Sequence, residues 1–334
     1  MKALTIILKI IRKLYRLVNK NDFSSLKSLE ISREKANEII YSLLIDSFPI
    51  MISRFGTTEL ITLNNYLTII SNDNVFKKIL KYISDNTHLP WWQTENFKYL
   101  SVYSGVFPPN KQTAIQFSQR YIQDVPMIDI LGSFQYYEKF IPLKKDIIRT
   151  HLETLYPFFV SNPWTIYLKN KKVLVIHPFE STIQFQYQRR KLLFENSNIL
   201  PDFNLITMKP VQSAADMECG FKNWSEALQY MEVQISKIDF DICLLGCGAY
   251  GLPLAAFIKN KLNKNAIHLG GGLQLLFGIK GKRWDDPDYG KKQYSKYAGL
   301  MNVPYSSLYN EYWIRPLKED TPKEAHKIDN ATYW

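Results

Sequence analysis

The pattern of apolar and polar positions divides the chain into an opening basic helix followed by alternating strands and helices. In the first twenty residues Leu4, Ile7, Ile11, Leu14 and Val18 recur at helical spacing, while Lys9, Arg12, Lys13, Arg16 and Lys20 fall on the other side. The longest uncharged run there covers residues 3–8, too short for a membrane span or a secretory core. Such a helix either lies in an anionic membrane interface, apolar side chains toward the acyl chains and cations at the headgroups, or docks on its own domain.

Beyond that helix, residues 32–47 read as a helix and 48–53 (FPIMIS) as a short buried strand. Arg54-Phe55-Gly56 turns the chain into a helix over 59–67, followed by a strand over 99–103, a helix over 111–121 and a strand over 126–131. In the second half, strands over 172–176, 204–208, 241–245 and 266–269 alternate with helices over 182–194, 224–238 and 252–262. The second of these helices is announced by Asn223 with Glu226 three positions on, and the third carries Pro253 in its first turn. This alternation predicts an α/β, Rossmann-like, doubly wound and mostly parallel sheet with ligands at the carboxyl ends of its strands. Chemistry is then expected just after Ile176, Met208, Leu245 and Leu269. The chain divides into the basic helix (1–20), an N-terminal α/β half (21–160) and a C-terminal nucleotide-binding half (161–334).

At 334 residues the chain can bury a large core without staples. Its three cysteines, Cys219, Cys243 and Cys247, lack redox or zinc spacing and read as packed free thiols, which points to the cytoplasm. The net charge of +11 calls for anionic partners. Nucleic acid is disfavoured, because the cations are spread along the chain and no zinc-finger, RNP-like or basic-region motif is present.

The strongest motif is Gly246-Cys247-Gly248-Ala249-Tyr250-Gly251, a GxGxxG between a predicted strand and a predicted helix. Backbone N–H groups at such a helix start favour a phosphate or diphosphate. The following strand ends in His268-Leu269-Gly270-Gly271-Gly272 with no acid to hold an adenosine ribose, which weakens a dinucleotide cofactor; a nucleotide sugar fits the same anion site without that acid. Lys280, Lys282 and Arg283 follow closely enough to neutralise a leaving phosphate. His268 alone reads as a hydrogen-bonded structural histidine. Near the first strand, Arg54, Gly56, Thr57 and Glu59 sit where active-site groups collect. Glu59 is suited to accept a proton or to bind a divalent ion, and Arg54 to pair with it or with phosphate. Asp285, Asp286 and Asp288 suit a metal or sugar hydroxyls, or form a plain turn around Pro287. Trp91, Trp92 and the tyrosine-rich C-terminal half are candidates for stacking on sugar faces, although at 14% aromatics most rings belong to the core.

The segments SRFGTTEL (53–60) and LLGCGAYGLPLAAFIKNKLNKNAIHLGGG (244–272) resemble the bacterial GT-D-type glycosyltransferases. The resemblance spans residues 50–283 in the order of elements, but only these two stretches are specific. That family builds surface polysaccharides and glycoproteins, so the resemblance implies transfer of a sugar from a nucleotide diphosphate to a saccharide or lipid-linked acceptor. The expected location is the cytoplasm, or the inner face of the plasma membrane if the basic helix brings the chain there. In that family the first segment reads R-x-G-D-G-E, and its Asp and Glu hold Mn²⁺ or Mg²⁺ and the donor. Arg54, Gly56 and Glu59 match that pattern. Thr57 stands at the position of the Asp, so one expected carboxylate is missing. Two other readings stay open: an NAD(P)-dependent oxidoreductase, and a non-catalytic scaffold of a polysaccharide assembly complex in which Thr57 records lost catalysis.

Overall fold

The structure, a computed structural model, describes residues 2–19, 31–287, 304–327 and 329–334. In chain order the principal elements are helix α1 (Lys2–Val18), α2 (Arg33–Ile45), strand β1 (Met51–Ser53), α3 (Thr57–Ile70), α4 (Val75–Ile83), α5 (Thr94–Ser104) and α6 (Lys111–Asp124). There follow β2 (Ile130–Ser133), β3 (Ile148–His151), β4 (Lys172–Ile176), α7 (Glu180–Gln188) and β5 (Asn204–Met208). The series ends with α8 (Trp224–Ile235), β6 (Ile242–Leu245), α9 (Gly251–Leu262) and β7 (Asn265–His268).

These strands form one seven-stranded sheet in the order β3-β2-β1-β7-β6-β4-β5, every pairing parallel. Alternate residues along the strands enter two separate cores. Ile52, Ile130, Val173, Val175, Leu244 and Ile267 pack with α2, α7 and the 152–168 segment, while Met51, Leu131, Leu174, Cys243 and Ala266 pack with α3, α6, α8 and α9. A sheet buried on both faces accounts for the near-continuous apolar runs of its strands. The fold is the α/β, Rossmann-like one that the alternation predicts. The two halves of the chain share this sheet, because β1 pairs with β7. After β4 the chain turns outward to β5, and after β6 it turns the other way to β7. The crevice between the carboxyl ends of β4 and β6 is therefore a topological switch point.

Local differences from the sequence reading have identifiable causes. Residues 99–103 are not a strand but part of α5, whose buried Phe97, Leu100, Ser101 and Ser104 follow a helical period and whose end is capped by Gly105 at φ 78°. The strand expected over 126–131 begins only at Ile130, because Val125–Met127 form a 3₁₀ turn. The helix expected over 182–194 ends at Gln188. Strand β3 was not read at all; Arg149 and His151 obscure its apolar pattern.

The N-terminal helix docks on its own domain, through its cationic side. Leu8 packs with Tyr82 and Leu89 near α4, and Arg12 stacks on the Tyr82 ring at 4.4 Å. Arg12 and Arg16 both pair with the buried carboxylate of Asp85, to which Tyr137 also donates. Burial by itself would raise the Asp85 carboxyl, but hydrogen bonds from Arg16, Tyr137 and Arg12 hold it down at about 2. Among the described residues no helix is long and apolar enough to cross a membrane.

The Asp85 tether makes α1 separable from the body of the fold. Asp85→Asn is expected to speed hydrogen exchange of the α1 amides by roughly tenfold or more while β4 and β6 amides keep their protection. In the wild type the tether is complete above pH 3.8, the ordinary value of this carboxyl, and is lost as the pH falls toward about 2. Unchanged α1 exchange in the variant would show that Leu8 packing alone holds the helix.

Candidate functional site

A cavity of about 440 Å³ opens at the carboxyl edge of the sheet, and it draws its walls from both halves of the chain. From the turn after β1 and the first turn of α3 come Arg54, Gly56, Thr57 and Glu59; from the turn after β6 come Gly246, Gly248 and Tyr250. Gly270, Gly271 and Gly272 after β7 and Arg283 complete the set that the sequence brought forward. Three predicted residues lie elsewhere. Ala249 is fully buried and spends its carbonyl on the Tyr121 hydroxyl at 2.9 Å. Gly251 leaves space for the His268 ring, and Lys282 is exposed outside the cavity.

The geometry begins with Phe55, which is fully buried and whose carbonyl accepts from the Gln135 amide at 3.0 Å. Anchored there, the chain presents Arg54 over the face of Phe134, 5.9 Å from its centroid, and against Gly270. A Cβ at Gly270 would lie 2.8 Å from Arg54 Nε, and φ is +64° there, so glycine is doubly required. Arg54 makes no hydrogen bond or ion pair with any described residue, and its Nε is buried without a partner. The Arg54–Glu59 salt bridge considered from sequence is not formed.

Glu59 lies in the first turn of α3, where the helix dipole favours a carboxylate. It is 6% exposed, accepts from the Thr58 hydroxyl at 3.0 Å, and folds back over Gly56 so closely that a Cβ there would collide with it. The Thr58 hydroxyl in turn meets that of Ser104. Arg283 stacks on the Tyr333 ring at 4.5 Å and donates to its hydroxyl at 3.1 Å. The charged lining among the described residues is thus two arginines against one glutamate, a field suited to an anion.

Two histidines complete the floor. His177 follows β4, where chemistry was expected, although the residue itself was not singled out. Its Nδ1 accepts the Phe179 N–H at 3.0 Å, so the neutral ring carries its proton on Nε2. His268 Nδ1 shares a hydrogen bond with Ser53 Oγ at 3.1 Å. Burial pushes both rings down to about 3, with Arg54 adding to the effect at His268. Both rings are neutral at ordinary pH, and His177 keeps an Nε2–H to donate. Cys247 also reaches the cavity, but burial pushes its thiol far above the usual range, so it is no thiolate nucleophile.

The tyrosine-rich C-terminal half contributes Tyr305 and Tyr333 to an aromatic wall with Tyr156 and Trp284; the sequence pointed to that half but not to these rings, because they come from distant segments with no shared pattern. Conversely, Trp91 and Trp92 lie elsewhere, Trp91 against α1 and Trp92 among Tyr66 and Phe97. Asp285 pairs with Arg315, and Asp288 lies outside the described residues. No group of three or more potential metal ligands occurs among the described residues. Glu59 is the one carboxylate there that lines the cavity. Such a donor set fits a divalent ion held mainly by a bound diphosphate and water, not one caged by the protein.

A half-buried guanidinium without a partner costs stability in the free protein and is repaid when an anion arrives. Arg54→Gln is expected to leave the melting temperature of the free protein unchanged or raised, and to weaken pyrophosphate binding by roughly tenfold to a hundredfold, measured by calorimetric titration. Equal pyrophosphate affinity in the variant would remove Arg54 from the site.

The buried histidines give a second expectation. Below 6.5 the unfolded chain takes up protons that folded His177 refuses until about 3, so its contribution to stability is lost as the pH falls through that window. Asp124, Glu138 and Glu153, raised by burial to about 7, titrate in the opposite sense, so the informative quantity is a difference. The stability of His177→Gln relative to wild type should rise steadily between pH 6.5 and 4 in denaturant titrations. A constant difference would mean that His177 is protonated in the folded state.

Comparison with protein-family models, with curated proteins and with solved structures finds no match, so the arrangement of this cavity carries the functional reading.

Proposed function

We propose that the chain is a glycosyltransferase that moves a sugar from a nucleotide diphosphate to a saccharide or lipid-linked acceptor in bacterial surface polysaccharide biosynthesis. The observation that supports it best is the meeting, in one cavity, of the Arg54–Glu59 segment with the glycine turn after β6. These are the two segments that resemble GT-D-type enzymes, and they lie far apart in sequence. In this reading Arg54, His177 Nε2–H and the backbone at Gly248 would bind the diphosphate, with Arg283 beside the aromatic wall. Tyr156, Trp284 and Tyr333 offer faces for the sugar or base.

In the proposed reaction an acceptor hydroxyl oxygen bonds to the anomeric carbon while the bond from that carbon to the diphosphate oxygen breaks. The hydroxyl proton passes to the Glu59 carboxylate, and the electron pair leaves with the diphosphate, whose charge Arg54 neutralises. Where Mn²⁺ or Mg²⁺ is bound, Glu59 would instead be its protein ligand, and the ion would screen the diphosphate charge.

Thermal unfolding of the purified protein with UDP, GDP, CMP and dTDP sugars, with and without manganese, tests this reading. At least one donor should stabilise the protein, by about 2.7 kcal/mol at a hundredfold excess over Kd. Glu59→Gln should lose transfer while retaining the stabilisation seen without manganese. A flat response across the panel, or stabilisation by NAD alone, would overturn the proposal.

A further inference from the structure

The orientation of α1 carries an inference that does not depend on the sugar-transfer reading. We infer that the outward face of α1 is a docking surface for an anionic lipid bilayer. The helix spends two of its cations inward, Arg12 and Arg16 on Asp85, and its apolar stripe is left facing out. Ile6, Ile7, Ile10, Leu14, Leu17 and Val18 are each more than half exposed. At 100° per residue these six fall within an arc of about 120°, opposite Leu8 and Arg12. Isolated exposed apolar residues are ordinary, but a continuous stripe along a helix of 17 residues, about 25 Å long, marks a surface that something covers. The neighbouring α4 adds exposed Val75 and Phe76.

Charge selects the occupant. The first twenty residues contain six basic residues and no acidic one. Lys9 and Lys13 flank the stripe, are exposed, and form no ion pair with a described residue. An antiparallel second copy laid face to face would bring these lysines, which share one edge of the stripe, against their own kind, in a chain that already carries a net charge of +11. An anionic headgroup layer satisfies them while the isoleucines and leucines enter the acyl boundary. The helix lies on such a surface and does not cross it, as its length and hydropathy require.

Flotation of the full chain with vesicles tests the inference. The protein should rise with phosphatidylcholine vesicles containing phosphatidylglycerol, and far less with phosphatidylcholine alone. Ile10→Ser/Leu14→Ser/Leu17→Ser should reduce partitioning roughly tenfold or more; Leu17→Ser alone should act in the same direction. Lys9→Gln/Lys13→Gln should weaken binding and flatten its salt dependence. The inference is overturned if the wild type stays with the soluble fraction, or if the triple variant partitions equally. It is also overturned if sedimentation without lipid shows a dimer that the triple variant dissolves, because a second copy then covers the stripe.

Discussion

Everything at the carboxyl edge of this sheet depends on how β1 pairs with β7. Strand β1 is only three residues long, and it lies against Ala266 and Ile267 in one register. So short a strand gains its register from the side chains at its entry. Asn265 Oδ1 accepts the Ile50 N–H at 2.9 Å, and Asp129 accepts the Met51 N–H at 2.7 Å while pairing with Lys144 and Lys259. A slip of one residue would send each β1 side chain to the opposite face. Ser53 would then leave His268, Phe55 would leave its core, and Arg54 would turn away from Gly270. The site's geometry is in this sense set at the far end of the strand, away from the cavity.

Given that register, the glycines acquire a meaning beyond the one their spacing suggests. A GxGxxG turn is usually argued from backbone amides facing a phosphate. Here the glycines also clear room for polar side chains of the protein itself. Gly246 lies beneath His177, with a Cβ there only 2.6 Å from the ring, and Gly270 lies beneath Arg54. Tyr333 and the ring of Tyr156 close over Gly271 and Gly272 in the same manner. Imidazole, guanidinium and phenol groups thereby come closer to the strand ends than any larger residue would permit. The result is a concave surface in which Arg54 is held close to the strand ends with its Nε left without a hydrogen-bond partner.

The parts legible in the sequence were those with a local signature. Strands β4 to β7 are apolar runs bounded by turns, α8 is announced by its Asn223 cap and α9 by Pro253 in its first turn. The site segments around Arg54 and Gly246 could be named because a strand end, a turn and a helix start follow one another within a few residues. What stayed hidden required tertiary knowledge. The place of His177 in the cavity floor follows from β4 standing beside β6, a neighbour relation that no local pattern encodes. Tyr333 reaches Arg283 from the last residues of the chain. Strand β3 escaped because, at the edge of the sheet, it pairs on one side only and tolerates Arg149 and Thr150 in place of an apolar run.

The N-terminal helix shows the same limit in energetic form. Its amphipathic pattern is symmetric with respect to the question of which side docks: an apolar stripe can be buried in the protein or left for another apolar phase. The decision lies outside the helix, at Asp85, a buried carboxylate with positive φ that would be costly to leave unpaired. Two arginines from α1 and the Tyr137 hydroxyl satisfy it together. Only Leu8 and the half-buried Thr5 and Tyr15 accompany the arginines inward, so the apolar area removed from water by docking is small. An electrostatic anchor of this type orients the helix without consuming its hydrophobic stripe. The stripe therefore stays on the protein surface, with Ile6, Ile7, Ile10, Leu14, Leu17 and Val18 each more than half exposed.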